Sequence, residues 1–214
     1  LRQPNAFLYT RHGRPAQSLP AWVVGSGPSL DMDLAFLKAN QDRAVIISCG
    51  SALAPLMAAG IQPDFHVELE NLNVGIVLEP VARSHDLSTI PLVAPISVDP
   101  DAVGTFRCTV FTSRQNLPPH PLYAEHQTSA GLYQALLALS LAVNHDPSDR
   151  IYVNCSDGAA IAGARAVRSQ DLTPPPAPQP KQKAVAAILD GFAPWDPSRM
   201  PDPWPGPEMI VEIE

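Results

Sequence analysis

Short apolar runs alternate with helix-like segments along most of the chain. Two helix-like segments lie at 30–41 and 51–60, and a longer one at 129–143. Strand-length runs that alternate with helices are typical of βαβ units, whose strands are parallel. The sequence therefore predicts an α/β fold with a mostly parallel sheet and flanking helices. The runs that we expect to be strands are 21–24, 44–48, 65–69, 91–96, 108–112 and 150–154.

Both ends of the chain have a different texture. Residues 1–20 contain prolines and arginines without a clear period, which indicates an N-terminal arm. From Thr173 onward the segment PPPAPQPKQK is typical of an extended, semi-rigid linker, and only 183–192 has the pattern of a short helix. We therefore expect three parts: an arm at 1–20, an α/β domain at 21–172, and a proline-rich linker and C-terminal arm at 173–214.

Composition narrows the class of protein. The hydrophobic fraction of 45% can form a proper core, and no apolar run reaches the roughly 20 residues of a membrane span. A formal net charge of -7 disfavours nucleic acid as a partner, since such proteins usually carry a basic stripe. The 3 cysteines lack CxxC spacing, and the chain does not start like a signal peptide. We therefore expect a cytoplasmic protein that binds neither nucleic acid nor a membrane.

The segment between the first predicted strand and its helix has unusual chemistry. It reads Gly25, Ser26, Gly27, Pro28, Ser29, and it lies at the edge of the sheet where α/β folds bind ligands. Its glycines permit positive φ and close approach of a phosphate, its proline suits a first helical turn, and the helix start offers N–H groups to an anion. Neither GxGxxG nor GxxxxGK[ST] is present. The GSGPS turn predicts either a phosphate site or a plain turn with a serine N-cap.

Two further segments follow neighbouring predicted strands. Gly50 and Ser51 repeat the small-residue turn one strand later, and two such turns can form a cleft for a base and a ribose. Glu70 and Asn71 come after the strand at 65–69 and are predicted to reach the sugar or nucleotide. The alternative is an edge strand with a solvated acidic face. His66 either shares that face or is a structural hydrogen-bonding residue.

A third block, NCSDG at 154–158, follows the last predicted strand. Asn, Asp and Gly dominate turns, so the block fits a turn that closes the sheet. In a doubly wound sheet the same turn also borders the ligand cleft. Both interpretations stay open at this point.

Three blocks together carry a family resemblance: GSGPSLDMDLAFLK (25–38), CGSALAPLMAAGIQPDFHVELEN (49–71) and IYVNCSDGAAIAGA (151–164). They resemble the central domain of the motility-associated factor (MAF) flagellin glycosyltransferases, a domain shared with MptE-like hydroxymethylpterin diphosphokinases. The resemblance covers roughly residues 20–172 and implies a Rossmann-like fold related to bacterial sialyltransferases. It also implies a CMP-activated nonulosonic acid (sialic, legionaminic or pseudaminic) as donor substrate, flagellin Ser/Thr hydroxyls as acceptors, and no tightly bound cofactor.

Glycosyl transfer of this kind needs two chemical functions. The leaving phosphate must be stabilised, which suits the GSGPS turn, aided by Thr128 and Ser129 before the long helix. The acceptor hydroxyl needs a base. Arg114, after the strand at 108–112, can pair with a phosphate or a sugar carboxylate, or it lies on the surface. No DxD pair of carboxylates is present, so we expect no bound metal. Candidates for the base are His66, His120, Glu70 and His126, with Glu70 and His126 assigned as catalytic.

One departure from the family pattern keeps other functions open. The strand that ends in a Gly-x-Asp signature, expected before the NCSDG block, is not found here. The alternatives to a glycosyltransferase are therefore an ATP- and magnesium-dependent hydroxymethylpterin diphosphokinase and a catalytically silent nucleotide-binding module. An aromatic fraction of 6% disfavours the kinase, which needs an aromatic pocket for its pterin.

Overall fold

The computed structural model describes residues 6–8, 19–68, 74–95, 98–114, 127–128, 151–153, 165–169, 172–174 and 180–194. The strands are β1 (Ala6–Leu8), β2 (Ala21–Val24), β3 (Val45–Cys49), β4 (Phe65–Val67), β5 (Pro91–Pro95), β6 (Cys108–Arg114), β7 (Gln127–Thr128), β8 (Ile151–Val153), β9 (Arg165–Val167) and β10 (Ala193–Pro194). The helices are α1 (Leu30–Ala39), α2 (Leu53–Ala58, after a 3-10 turn at Gly50–Ala52), α3 (Val74–Ser84), α4 (Pro100–Val103) and α5 (Lys181–Leu189). In this part of the chain, no helix has the length and apolar character that a membrane crossing needs.

The described strands form one sheet in the order β10-β1-β6-β5-β4-β3-β2-β8-β9, and β7 pairs with β6. All of these pairs are parallel except β1 with β10. The predicted α/β fold is confirmed, and each of the six predicted strands has a counterpart among β2 to β6 and β8. The helix predicted at 129–143 lies outside the described residues.

The strand β2 is the point where the strand order reverses. From β2 the chain proceeds to β3 on one side, and the later strand β8 pairs on the other side. Ligands of open α/β sheets bind at such a switch point, outside the carboxyl ends of the strands. The GSGPS turn follows β2 directly, so the fold places it at the expected position for a ligand.

Helices cover both faces of the sheet, which explains why β2 and β3 are buried along their whole length. One face packs against α1 to α4; its buried strand residues are Trp22, Val24, Ile46, Leu92, Ala94 and Phe111. The other face packs against α5; its buried strand residues are Ala21, Val23, Val45, Ile47, Cys49, Phe65, Val67, Val93, Cys108 and Val110.

The described parts of both predicted arms, outside the expected boundaries at 20 and 172, pack with this sheet. Residues 6–8 form β1, between β6 and β10. Helix α5 buries an apolar stripe against the sheet, namely Ala184, Val185, Ile188 and Leu189. This spacing gives one apolar helix face, which must be covered by another layer. The remaining C-terminal residues, 195–214, lie outside the described part.

The edge-strand interpretation of the acidic stretch at 64–70 is wrong. Strand β4 lies between β3 and β5, in the interior of the sheet. Glu68, the residue after β4, is 5% exposed and donates its backbone N–H to the carbonyl of Val93. The carboxylate at this position therefore faces the protein and not bulk solvent.

Candidate functional site

The GSGPS turn joins β2 to α1 without a side-chain cap. Leu30 N–H donates to the carbonyl of Gly27 at 2.9 Å, which closes the turn, and Ser29 occupies the N-cap position. The Ser29 side chain is buried but makes no capping hydrogen bond. Ser26 and Pro28 are exposed. Ser29 therefore holds the predicted N-cap position without a capping hydrogen bond from its side chain, and the start of α1 lies next to the exposed Ser26.

The second small-residue turn contacts the first. Ser51 Oγ donates a hydrogen bond to Ser26 Oγ at 2.6 Å. This contact brings the GSGPS turn and the Gly50–Ser51 turn together at the carboxyl ends of β2 and β3, as the sequence predicted. The two turns form a continuous rim of small polar residues.

Backbone conformation differs from the prediction in one respect. Among the described glycines, positive φ occurs at Gly50 (50°) and Gly60 (73°), and not at Gly25 or Gly27. The 3-10 turn begins directly after β3, so Gly50 alone must change the chain direction, and the left-handed region suits glycine. The GSGPS turn has five residues for the same change.

Gly50 therefore supports a prediction. Replacing Gly50 by alanine should lower the free energy of unfolding by about 1–2 kcal/mol, since a Cβ is disfavoured at this φ. Gly50→Asn should recover part of that loss, because asparagine tolerates the left-handed region. Urea titrations of both variants measure the effect. Gly104→Ala is the matched control and should not be destabilised, because Gly104 has φ -72 and an added Cβ would lie in open space.

The first turn of α1 is tied to the segment after β9. Asp33 is buried and accepts hydrogen bonds from the backbone N–H of Ser169 (3.3 Å) and from the Ser169 hydroxyl. Asp31, on the same turn, is exposed. Both carboxylates complement the helix dipole, and an anion bound here needs backbone N–H groups or a cation to offset them.

Behind the rim lies a buried polar row on β3 and β4. His66 is fully buried, and its Nδ1 is hydrogen-bonded to Ser48 Oγ at 2.9 Å. Its Nε2 lies 3.7 Å from Glu68 Oε2, and its ring stacks on Phe106 with centroids 5.3 Å apart. These contacts support the structural interpretation of His66, because an acceptor hydroxyl cannot reach it. Sequence reasoning missed Ser48, since a serine inside an apolar run carries no distinctive signal.

The other candidate residues are only partly covered by the structure. Glu70, Asn71, His120, His126 and Ser129 lie outside the described residues, as does the NCSDG block. Their roles stay predictions.

The backbone of Thr128 conflicts with its expected role beside the GSGPS turn. Thr128 is on β7, in register with Arg114 of β6. Three strands lie between β6 and β2, so β6 and β2 are about 19 Å apart at the usual strand spacing, and β7 pairs with β6. Thr128 and Arg114 lie next to each other on β7 and β6, away from the GSGPS turn.

Metal and thiol chemistry find no support in the described residues. No group of three His, Cys, Asp or Glu side chains is arranged to hold a metal ion there, and the expected absence of a metal stays a prediction. Cys49 and Cys108 are free and buried. Burial raises the pKa of the Cys108 thiol, which makes it a poor nucleophile.

A cavity of about 820 Å³ lies at the opposite edge of the sheet. Its lining includes Asp64, Arg107 and Lys181, near the amino ends of β4, β6 and α5. Open α/β sheets bind ligands at the carboxyl edge, so we assign the candidate site to the rim formed by the two turns.

Comparison with known proteins agrees with this fold. The MptE-like family model, described as 6-hydroxymethylpterin diphosphokinase MptE-like, matches residues 5–151. The structure of the MAf glycosyltransferase from Magnetospirillum magneticum AMB-1 aligns at a TM-score of 0.73 and 26% sequence identity, over 90% of this chain and 40% of that chain. No functionally curated protein matches at a significant level. Because the structural match covers 40% of the MAf glycosyltransferase, this chain spans less than half of its length.

The family match covers more than half of the chain and runs from the residue before β1 to the start of β8. The structural match covers 90% of the chain. The resemblance seen in the sequence blocks is confirmed, and the chain belongs to the MptE-like family.

Proposed function

We propose that the chain forms the donor-binding part of a glycosyltransferase. The reaction is transfer of a nonulosonic acid from a CMP-activated donor to Ser/Thr hydroxyls of flagellin. The observation that carries the proposal is the Ser51–Ser26 hydrogen bond, which joins two small-residue turns at the switch point of the sheet. The similarity to the MAf glycosyltransferase supports it.

The rim suits the stabilisation of a leaving phosphate. In the first turn of α1 the N–H groups of Leu30 and Met32 already donate to the carbonyls of Gly27 and Ser29, so the positive end of the helix dipole is what attracts an anion here. Ser26 Oγ accepts the hydrogen bond from the Ser51 hydroxyl, so the hydroxyl hydrogen of Ser26 can point to a phosphate oxygen. Negative charge develops on that phosphate as CMP departs, and preorganised donors of this kind lower the barrier.

The remaining roles follow from this placement. With the phosphate at the GSGPS turn, the ribose and base extend along the rim toward Gly50 and Ser51, and Asn71 stays a predicted contact of the nucleotide. Glu70 and His126 remain the candidates for the base that activates the acceptor hydroxyl, since burial removes His66. The free, buried thiols of Cys49 and Cys108 fit a reducing compartment, in keeping with a cytoplasmic reaction.

The donor prediction is that CMP binds at least tenfold tighter than AMP, about 1.4 kcal/mol, without magnesium. A rim of small residues accommodates a pyrimidine. A purine would leave buried hydrogen-bonding groups of the site unpaired, and this disfavours its binding strongly. Calorimetry with CMP, AMP and ATP, each with and without magnesium, measures the affinities. Equal affinity for CMP and AMP, or ATP binding that requires magnesium, would contradict the glycosyltransferase proposal.

The second candidate function is an ATP-dependent hydroxymethylpterin diphosphokinase, favoured by the description of the matching family. A pterin ring needs an aromatic surface in the cleft. Within the described residues the large exposed apolar side chains are Met32, Ile76 and Val77, none of which is aromatic. The calorimetric panel separates the two functions. Release of CMP from a CMP-activated donor in the presence of flagellin then separates an active transferase from a silent binding module.

A further inference from the structure

Arg168 lies beside the start of α1. It follows β9, whose carboxyl end is at the same sheet edge as that of β2, with β8 between them. The hydrogen bonds from Ser169 to Asp33 hold this segment against the first turn of α1. The Arg168 guanidinium is itself next to that turn, with Nη2 3.6 Å from Met32 Sδ.

The guanidinium lacks a strong partner in the described part of the chain. Its Nε is buried and makes no hydrogen bond there, and its Nη2 contacts a thioether, which is a weak acceptor. Two other cations have carboxylates: Arg83 contacts Glu79 at 2.5 Å, and Lys181 contacts Asp64 at 2.9 Å. Within the described residues Arg168 is therefore a cation with unused donors, in contact with the first turn of the ten-residue helix α1 through Met32.

We propose that Arg168 binds the phosphate of the nucleotide held at the GSGPS turn. A guanidinium can bind two oxygens of one anion, and the positive end of the α1 dipole attracts the same anion. The inference rests on the proposed function for the identity of the nucleotide and on geometry for the role of the arginine.

This assignment replaces one made from sequence alone. Arg114 was the candidate for pairing with a phosphate, but it ends β6, with three strands between β6 and β2. Arg168 carries no motif, and only the fold brings it to α1.

The test compares Arg168→Gln with the wild type by calorimetry. CMP affinity should fall about 10- to 100-fold, in line with loss of a charge-assisted hydrogen-bonded pair. Cytidine, which has no phosphate, should bind both proteins equally. Arg168→Lys should give an intermediate CMP affinity, since it keeps the charge but loses the two-pronged grip. The loss in Arg168→Gln should shrink at high salt.

Arg107→Gln is the matched control, because Arg107 is exposed and precedes β6 at the opposite sheet edge. It should leave CMP affinity unchanged. If the wild type binds CMP and Arg168→Gln binds it equally well, Arg168 has no role and the proposed function stands. If Arg168→Gln weakens cytidine binding as much as CMP binding, the phosphate assignment is overturned, because Arg168 then contacts the sugar or the base.

A further outcome separates the two proposals. If the wild type binds only magnesium-ATP, and Arg168→Gln weakens that binding, the arginine assignment stands while the CMP-dependent function fails. Binding of neither CMP nor ATP by the wild type would overturn both.

Discussion

A chain that ends at Leu172 should not be recovered as a soluble, folded protein. Truncation there removes α5 and β10, and α5 packs against the strand residues of one core cluster of the sheet. Residues such as Val23, Ile47 and Val67 would then face water as one apolar patch, and patches of this kind drive aggregation. Expression of residues 1–172, followed by gel filtration and circular dichroism, checks this expectation.

Single substitutions in α5 should also destabilise the fold, by smaller amounts that depend on how buried the residue is. Ile188 is 2% exposed, and Ile188→Ala should lower the free energy of unfolding by about 2–4 kcal/mol through lost contacts and a residual cavity. Lys183→Ala, at an exposed position of the same helix, should change it by less than about 0.5 kcal/mol. A soluble 1–172 chain that unfolds cooperatively would show that α5 is dispensable, contrary to the packing.

Much of the sheet is predictable from local pattern. Strands β2 to β6 are short apolar runs bounded by turn residues, because both faces of a parallel sheet are buried. The meeting of the GSGPS turn with Gly50 and Ser51 is predictable for a related reason. Consecutive parallel strands end at one edge, so the residues that follow them are neighbours.

Long-range pairing is what the local pattern does not contain. Strand β1 pairs with β10 through Phe7 and Pro194. These strands have three and two residues, and nothing in either sequence identifies the partner strand. The hydrogen bond between Asp33 and Ser169 spans 136 positions. The same holds for Arg168, whose place beside α1 depends on that bond.

Burial also reverses the interpretation of some polar residues. His66 and Glu68 lie on an alternating strand pattern that fits a solvated edge equally well. Their burial follows from the position of β4 between β3 and β5, which the sequence of β4 alone does not determine.

The second large effect concerns the ion pair that attaches α5 to the sheet. Asp64 precedes β4, accepts the backbone N–H of Ile46 at 2.7 Å and contacts Lys181 Nζ at 2.9 Å. Lys181, the first residue of α5, also donates to the carbonyl of Gln41. Side-chain exposure is 15% for Lys181 and 12% for Asp64, so the pair is largely shielded from solvent.

Burial raises the pKa of Asp64 from its ordinary value of 3.8 to about 6, although the charge of Lys181 opposes the rise. The folded protein therefore holds an extra proton between about pH 4 and pH 6. The contribution of this carboxyl to stability is complete below about pH 4 and is lost as the pH rises through 6. Relative to Asp64→Asn, the wild type should thus lose about 2–3 kcal/mol between pH 4 and pH 7.

Lys181→Met should make the free energy of unfolding depend more steeply on pH. At pH 7.5 it leaves Asp64 buried, ionised and without its cation, and should lower the free energy of unfolding by about 2–4 kcal/mol. At pH 5 the carboxyl is mostly protonated, so the loss should shrink below about 1 kcal/mol. Urea titrations at both pH values measure it, with the exposed Lys183→Met as control. Adding Asp64→Asn to Lys181→Met should restore stability at pH 7.5. A loss equal at both pH values, or no recovery in the double variant, would mean that Lys181 acts by packing and not by charge.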